Sequence, residues 1–463
     1  MLTIRSPFIR QPEREYIFKV IFEEFLGIPY KVEFENRKDV EVIYGQSGDT
    51  KLVISDIFLR TNELQWLQKS SLPKSPLGAL THRLFGSVPV IFGEKNSDGT
   101  YIEKKPQAIH CGLDIFGSAF FMLSRYEECV ITERDQRNRF LARHSIAYRE
   151  NFLDRPIVNE YIEILWELLM DLWPKELERR PREFRFLLSH DVDWPFYVVG
   201  KTTLQMLKEI TADVIKRRSY QSAYKKLKAL WKTRDGNLSE DIFNTFHWIM
   251  EQSEKAGIRS AFYFITQETA PGLDGNYSMK DSEIRRLLNE IHHRGHEIGL
   301  HPSYHTYKEP ERIKQQFDIL LDTVRANQIK QSTWGGRQHY LRWHASETWQ
   351  YWEDAGLNYD STLSYSDMPG FRCGVCYEYS VFNLMTRKQL KLKERPLIVM
   401  EQTVIFATGL GLKGREAQKE IEHYYNQCRR FNGDFTLLWH NSQLVKEEEV
   451  SLYQDCLDLL QTN

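Results

Sequence analysis

The sequence predicts an α/β protein in two parts: a β/α barrel over residues 180–463, preceded by a smaller α/β module over 1–175. Three observations carry this expectation. Beyond residue 184, short apolar runs alternate with helical patterns of about a dozen residues, a rhythm that implies parallel strands joined by right-handed crossovers. Residues able to do chemistry sit where several of those runs end, and a closed or nearly closed barrel collects its active site at the C-terminal ends of its strands. Between the parts lies PKELERRPRE (174–183), a charged, proline-containing stretch of the kind that links domains.

In the first part, VEVIYG (40–45), KLVISD (51–56) and VPVIFG (88–93) read as strands, and GLDIFGSAFFMLSRYEE (112–128) and VNEYIEILWELLMDLW (158–173) as helices. Asp114, Arg125 and Glu127 in the first helix are expected to meet the second part rather than to do chemistry. In the second part the strands are FRFLLS (184–189), SAFYFI (260–265), HEIGLH (296–301), YDSTLSY (359–365), LIVMEQTV (397–404) and DFTLLWH (434–440). A helical insertion is expected near 196–240, its stretch 201–232 carrying a solvated Lys/Arg face.

With Lys plus Arg at 62 against Asp plus Glu at 64, the chain has no global field to attract a polyanion, so nucleic acid is not an expected partner. No run of apolar residues is long enough to span a membrane, and residues 1–20 show no export signal, which places the protein in the cytoplasm as an expectation. The 6 cysteines are too few for a disulfide framework, and Cys373 and Cys376 form a lone CxxC, read as plain loop thiols.

The strand ends carry the chemistry. LLSHDVDWP delivers Asp191 and Asp193, which are two apart and so point to one side of a strand, with His190 facing away. EIGLHPSYHTY delivers His301 and His305, four apart on a turn that Pro302 can open, so both imidazoles can reach one ion. TLLWHNS delivers His440. Two histidines and one carboxylate leave coordination positions open for water and substrate, the arrangement of a catalytic metal. The long loop SYSDMPGFRCG (364–374) offers Arg372 as a substrate wall, and Glu401 is expected beside Arg337 or Arg372.

The order HDVD, HPSYH, GGRQHYLRW and LLWH resembles the polysaccharide deacetylase family, also called NodB-homology or carbohydrate esterase family 4, over about residues 180–463. The resemblance implies a distorted (β/α)7 barrel and metal-dependent removal of N- or O-acetyl groups from sugars. It implies Asp191 as base, Asp193, His301 and His305 as ligands of one divalent ion, Arg337 as the group orienting Asp191, and His440 as acid. The ion would be zinc first, with cobalt, nickel, manganese or iron as alternatives. Tyr340 matches the family's third motif, where His339 stands in place of Pro; Tyr340, Arg372 and Trp439 are the substrate-contact candidates. The Asp-Val-Asp spacing and Asn441 after the last histidine depart from the usual pattern and leave the substrate open. An acetylated sugar or glycan precursor is the expected partner. The alternatives are hydrolysis of another small C–N amide, an iron-dependent oxygenase, which the β/α rhythm does not suit, and a non-catalytic carbohydrate binder, which needs no general acid.

Overall fold

Strand β9 (Arg185–Val192) shows why the second part folds as it does: after Arg185 its residues are almost all buried, as in a parallel strand covered on both faces. The computed structural model describes residues 1–461 apart from 46–49, 217, 234–236, 276 and 346. Within the first part, β1 (Leu2–Pro7), β2 (Tyr30–Glu35), β3 (Val40–Tyr44), β4 (Lys51–Ile54), β7 (Ile102–Lys105) and β8 (Ala108–Cys111) form a mixed sheet in the order β2-β1-β3-β4-β8-β7. A separate hairpin joins β5 (Gly78–His82) to β6 (Gly86–Val90). The expected helix over 112–128 breaks into Ile115–Leu123 and Tyr126–Val130, because Arg125 between them adopts φ 55.

The second sheet adds β10 (Ser260–Phe264), β11 (Glu297–Leu300), β12 (Gly335–Gly336), β13 (Tyr359–Asp360), β14 (Tyr379–Asn383), β15 (Lys388–Glu394), β16 (Val399–Met400) and β17 (Asp434–Leu438). Their order is β14-β15-β13-β12-β11-β10-β9-β17-β16, and every pairing is parallel except β14 with β15. Among the described residues no strand pairing joins the two ends, so the sheet is not seen to close into the expected barrel. The run 359–365 gives only a two-residue strand, because the Asp360 carboxylate accepts the Thr362 N–H at 3.0 Å and turns the chain. LIVMEQTV divides likewise into β16 and a short helix, Glu401–Ile405. The insertion is a pair of helices, Thr203–Ile215 and Tyr220–Lys232, which leave Leu204, Ile215, Tyr220, Tyr224 and Trp231 exposed along with Lys208, Lys228 and Lys232.

One apolar core runs through both parts of the chain. Polar contacts stitch the same boundary: the Tyr16 hydroxyl donates to the Ser380 carbonyl at 2.9 Å, and the Tyr379 hydroxyl to that of Leu123 at 2.9 Å. Cys373 and Cys376 belong to this core rather than to an exposed loop, and burial pushes the Cys373 thiol up to about 12. None of the described helices is long and apolar enough to cross a membrane.

Candidate metal and catalytic site

Alternation along β9 separates its polar residues. His190 turns into the core, where its Nδ1–H donates to the Trp439 carbonyl at 2.7 Å and its ring stacks on Phe262. Burial holds this imidazole at about 3, neutral at any ordinary pH. Asp191 turns the other way, and Arg337 Nη1 donates to its Oδ1 at 2.7 Å.

Arg337 is fully buried and fixed on every side: Nη2 donates to Ser189 Oγ at 2.9 Å and Nε to the Ser361 carbonyl at 2.8 Å. It reaches this place because β12 lies unusually close to β11. A Cβ on Gly336 would stand 1.8 Å from the Leu300 carbonyl oxygen, a distance that only glycine avoids. The guanidinium fixes Oδ1 and leaves the second carboxylate oxygen for the cavity that Asp191 lines.

His301 ends β11. Its Nδ1 faces the Arg337 carbonyl at 2.6 Å, so the proton sits on Nδ1 and the lone pair on Nε2, which lies 3.1 Å from Asp193 Oδ1. His339, two residues after Arg337, repeats the device. Its Nδ1 meets the Asp274 carboxylate at 2.8 Å, and its Nε2 lies 3.5 Å from Asp193 Oδ1. Asp274 is itself held by the N–H groups of Ala270 at 2.7 Å, Thr269 at 2.8 Å and Tyr304 at 2.8 Å. Gly275 lets this loop approach β9, since a Cβ there would fall 1.9 Å from the Asp193 carbonyl oxygen. Just beyond His339, Tyr340 and Leu341 take φ 60 and 54, left-handed values that cost side-chain-bearing residues about 1–3 kcal/mol each and that gather at functional sites.

The ligand atoms of Asp193, His301 and His339 lie within 4.8 Å of one another. Asp193 Oδ1 and His301 Nε2 are buried with no hydrogen-bond partner, two electron-rich atoms facing each other that a cation would satisfy. The donor set suits a divalent ion with open positions, and both imidazoles have the outer-shell acceptors that fix a ligating tautomer. Without a cation, protons take that role. Burial opposes charge on His339, but Asp193 and Asp274 prevail and pull it up to about 9; burial opposes charge on Asp193 too, and His339 and His301 hold it well below the usual carboxylate range.

His440 follows β17 on the far side of Asp193, with Nε2 at 3.6 Å from Oδ2. Its Nδ1–H donates at 2.6 Å to the buried carboxylate of Glu401, which opens the short helix after β16. Burial works against the imidazolium, yet Glu401 raises it to about 10, so it carries a proton at neutral pH. The cavity above these groups has a volume of about 450 Å3, with Tyr340, Met400 and Gln402 among its walls.

Asp191, Asp193, His301, Arg337 and His440 therefore converge, and Tyr340 lines the cavity beside them. His305 does not belong: it is exposed, its N–H is tied to Thr269 Oγ1 at 3.1 Å, and His339 occupies the third ligand place expected for it. Arg372 is no substrate wall. It is buried against Glu128, Nη2 to Oε2 at 2.5 Å, while Arg125 donates to its carbonyl, which is the inter-part contact expected of Arg125. Trp439 is fully buried and packs on Tyr453, away from the cavity. Glu401 serves His440 rather than either arginine. Sequence reasoning missed Asp274 and the ligand role of His339; its position two residues after Arg337 in GGRQHY was the available signal.

A family described as "Family of unknown function (DUF7033)" matches residues 2–174. No curated protein matches the chain. Among solved structures, the chain is similar to a candidate polysaccharide deacetylase from Mycobacterium smegmatis, at 15% identity and a TM-score of 0.38, covering 61% of this chain and 86% of that one. It is similar also to Puue allantoinase, at 11% identity, TM-score 0.35, covering 61% and 88%. A candidate polysaccharide deacetylase from Pseudomonas aeruginosa PAO1 matches at 11% identity, TM-score 0.36, covering 62% and 90%. With identities and scores this low, the functional reading rests on the residues of the site.

Proposed function

We propose that the protein is a metal-dependent hydrolase that removes acetyl groups from a carbohydrate. The observation that carries this reading is the pair of buried, unpartnered atoms, Asp193 Oδ1 and His301 Nε2, facing each other between a carboxylate clamped by arginine and an imidazolium clamped by glutamate. Asp193, His301 and His339 would hold one divalent cation, zinc being the first choice for this donor set, and that ion when bound acidifies a water and polarises an acyl carbonyl.

The remaining work falls to the chain's own groups. Asp191, fixed through Oδ1 by Arg337, presents its other oxygen to take the proton from an attacking water. His440, protonated through Glu401, delivers a proton to the leaving amine or alkoxide as the carbon–heteroatom bond breaks. Hydrolysis needs one group to take a proton and another to give one, and the two are held in place by different partners, Arg337 and Glu401.

The test is elemental analysis of the purified protein together with acetate release from a panel of N- and O-acetylated sugars, by wild type and by Asp193→Ala. Stoichiometric metal and acetate release, both lost in the variant, are expected. Absence of metal from a protein grown and purified without chelator, or acetate release that survives Asp193→Ala, overturns the reading.

A further inference from the structure

The cavity over the candidate site is not built by the second part alone. Segment 135–143 of the first part forms its outer wall, with Arg137, Arg139 and Arg143 facing the space. This wall is docked on the loop that carries His339: Arg342 Nε donates to the Arg137 carbonyl at 2.9 Å, and Arg139 Nη1 to that of Tyr340 at 3.4 Å. Across the mouth, Asp367 accepts the Ala142 N–H at 3.1 Å.

The three guanidinium groups are not equivalent. Arg139 is committed to Asp135, with Nη2 to Oδ2 at 2.8 Å. The Arg137 guanidinium carbon sits over the Tyr340 ring, 4.2 Å from its centroid, and Arg137 Nη1 is buried without a hydrogen-bond partner. Arg143 is exposed at the rim. Among the described residues no carboxylate forms an ion pair with Arg137 or Arg143. Lower in the cavity, Asp191 is paired with Arg337, and Asp193 faces His301 and His339. Asp367 remains as the one acid of the rim without a cationic partner, so the mouth keeps an excess of positive charge.

Two guanidinium forks free of counter-ions, aimed into a cavity whose floor holds the hydrolytic groups, are suited to bidentate recognition of phosphate or carboxylate. We propose that Arg137 and Arg143 bind an anionic substituent of the acetylated substrate, a phosphate or a carboxylate, and that the first part of the chain thereby selects the substrate. This rests on the deacetylase reading for the identity of the remaining group.

The test has two arms. In the first, kcat/KM of the metal-loaded enzyme is compared for a neutral N-acetylhexosamine, one bearing a phosphate and one bearing a carboxylate. One of the anionic substrates is expected to be preferred over the neutral one, and which of them it is identifies the anion. In Arg137→Gln/Arg143→Gln that preference should fall at least about tenfold, chiefly through KM. Arg143→Gln alone, altering an exposed side chain, serves if the double variant unfolds, with a loss of about threefold or more. A preference for the neutral sugar, or a ratio unmoved by the substitutions, overturns the proposal. In the second arm, binding of inorganic phosphate is followed by calorimetry on metal-loaded wild type and double variant. Binding weakened about tenfold supports the site even if no acetylated sugar is turned over, in which case the deacetylase reading alone fails. Equal binding in both proteins places the anion on the metal and overturns the arginine site while leaving that reading intact.

Discussion

His339→Ala should empty the metal site, whereas His305→Ala should leave it filled. The magnitude follows from what each imidazole touches. His339 supplies one of three ligand atoms and is seated by Asp274, whose carboxyl is held at about 2: burial opposes that charge, and the bond from His339 and backbone N–H groups outweigh it. Loss of an outer-shell partner alone lowers metal affinity about 10–100-fold, or about 1.4–2.7 kcal/mol. Asp274→Asn should fall in that range, and His339→Ala, which removes the ligand itself, should exceed about 100-fold. His305 lies outside the cluster with its ring against Tyr304, so its removal should change affinity less than about twofold. Competition against a chromophoric chelator, backed by elemental analysis, measures all three, and melting curves report whether each variant is folded. Metal lost from His305→Ala and retained in His339→Ala would refute the geometry.

Three further outcomes follow. Arg372→Ala leaves Glu128, whose carboxyl is held at about 2 despite burial by Arg372 and Arg125, with Arg125 alone, and should cost up to about 3 kcal/mol in denaturant unfolding while leaving KM unmoved; a raised KM at full stability would restore Arg372 to the substrate. Glu401→Gln removes the charge that keeps His440 protonated to about 10, so activity should fall tenfold or more, on the order of a lost general acid, as pH rises from about 6.5 to 8, and an unshifted pH–rate profile would exclude His440 as the acid. His190, held by burial at about 3 against about 6.5 when unfolded, binds fewer protons in the native state between those values, so the stability it contributes is complete above about 6.5 and drains as pH falls. The stability deficit of His190→Met relative to wild type should therefore shrink by about 2–3 kcal/mol from pH 7 to 4.5, and a deficit constant across that range would contradict a neutral, buried ring.

In the second sheet the legible strands β9, β10, β11 and β17 read as mostly apolar runs because nearly all of their residues are buried. β12, of two residues, carries no periodicity at all, and its glycines serve close approach, Gly336 to the Leu300 carbonyl of β11 and Gly335 to the Tyr359 ring of β13, rather than strand propensity. β15, in KQLKLKE, alternates apolar residues with lysines and went unread, as did its antiparallel partner at the sheet edge, β14. The candidate site groups at strand ends were legible because period-two alternation says which way Asp191 and Asp193 point, and it needs no long-range information.

The choice between His305 and His339 could not be read this way, because it is made by a carboxylate distant in sequence. One oxygen of Asp274 accepts both the Nδ1–H of His339 and the N–H of Tyr304, each at 2.8 Å. The first bond points His339 Nε2 at Asp193. The second pins the turn after Pro302, and the other Asp274 oxygen holds Thr269, whose hydroxyl in turn accepts the His305 N–H. Spacing of four made His305 plausible on a regular turn; the turn that forms is irregular, drawn down onto Asp274, and it carries the fifth residue of HPSYH out to solvent. A single buried acid thus both recruits one imidazole and turns the other away, so Asp274→Asn tests the ligand assignment and the shape of the turn at once.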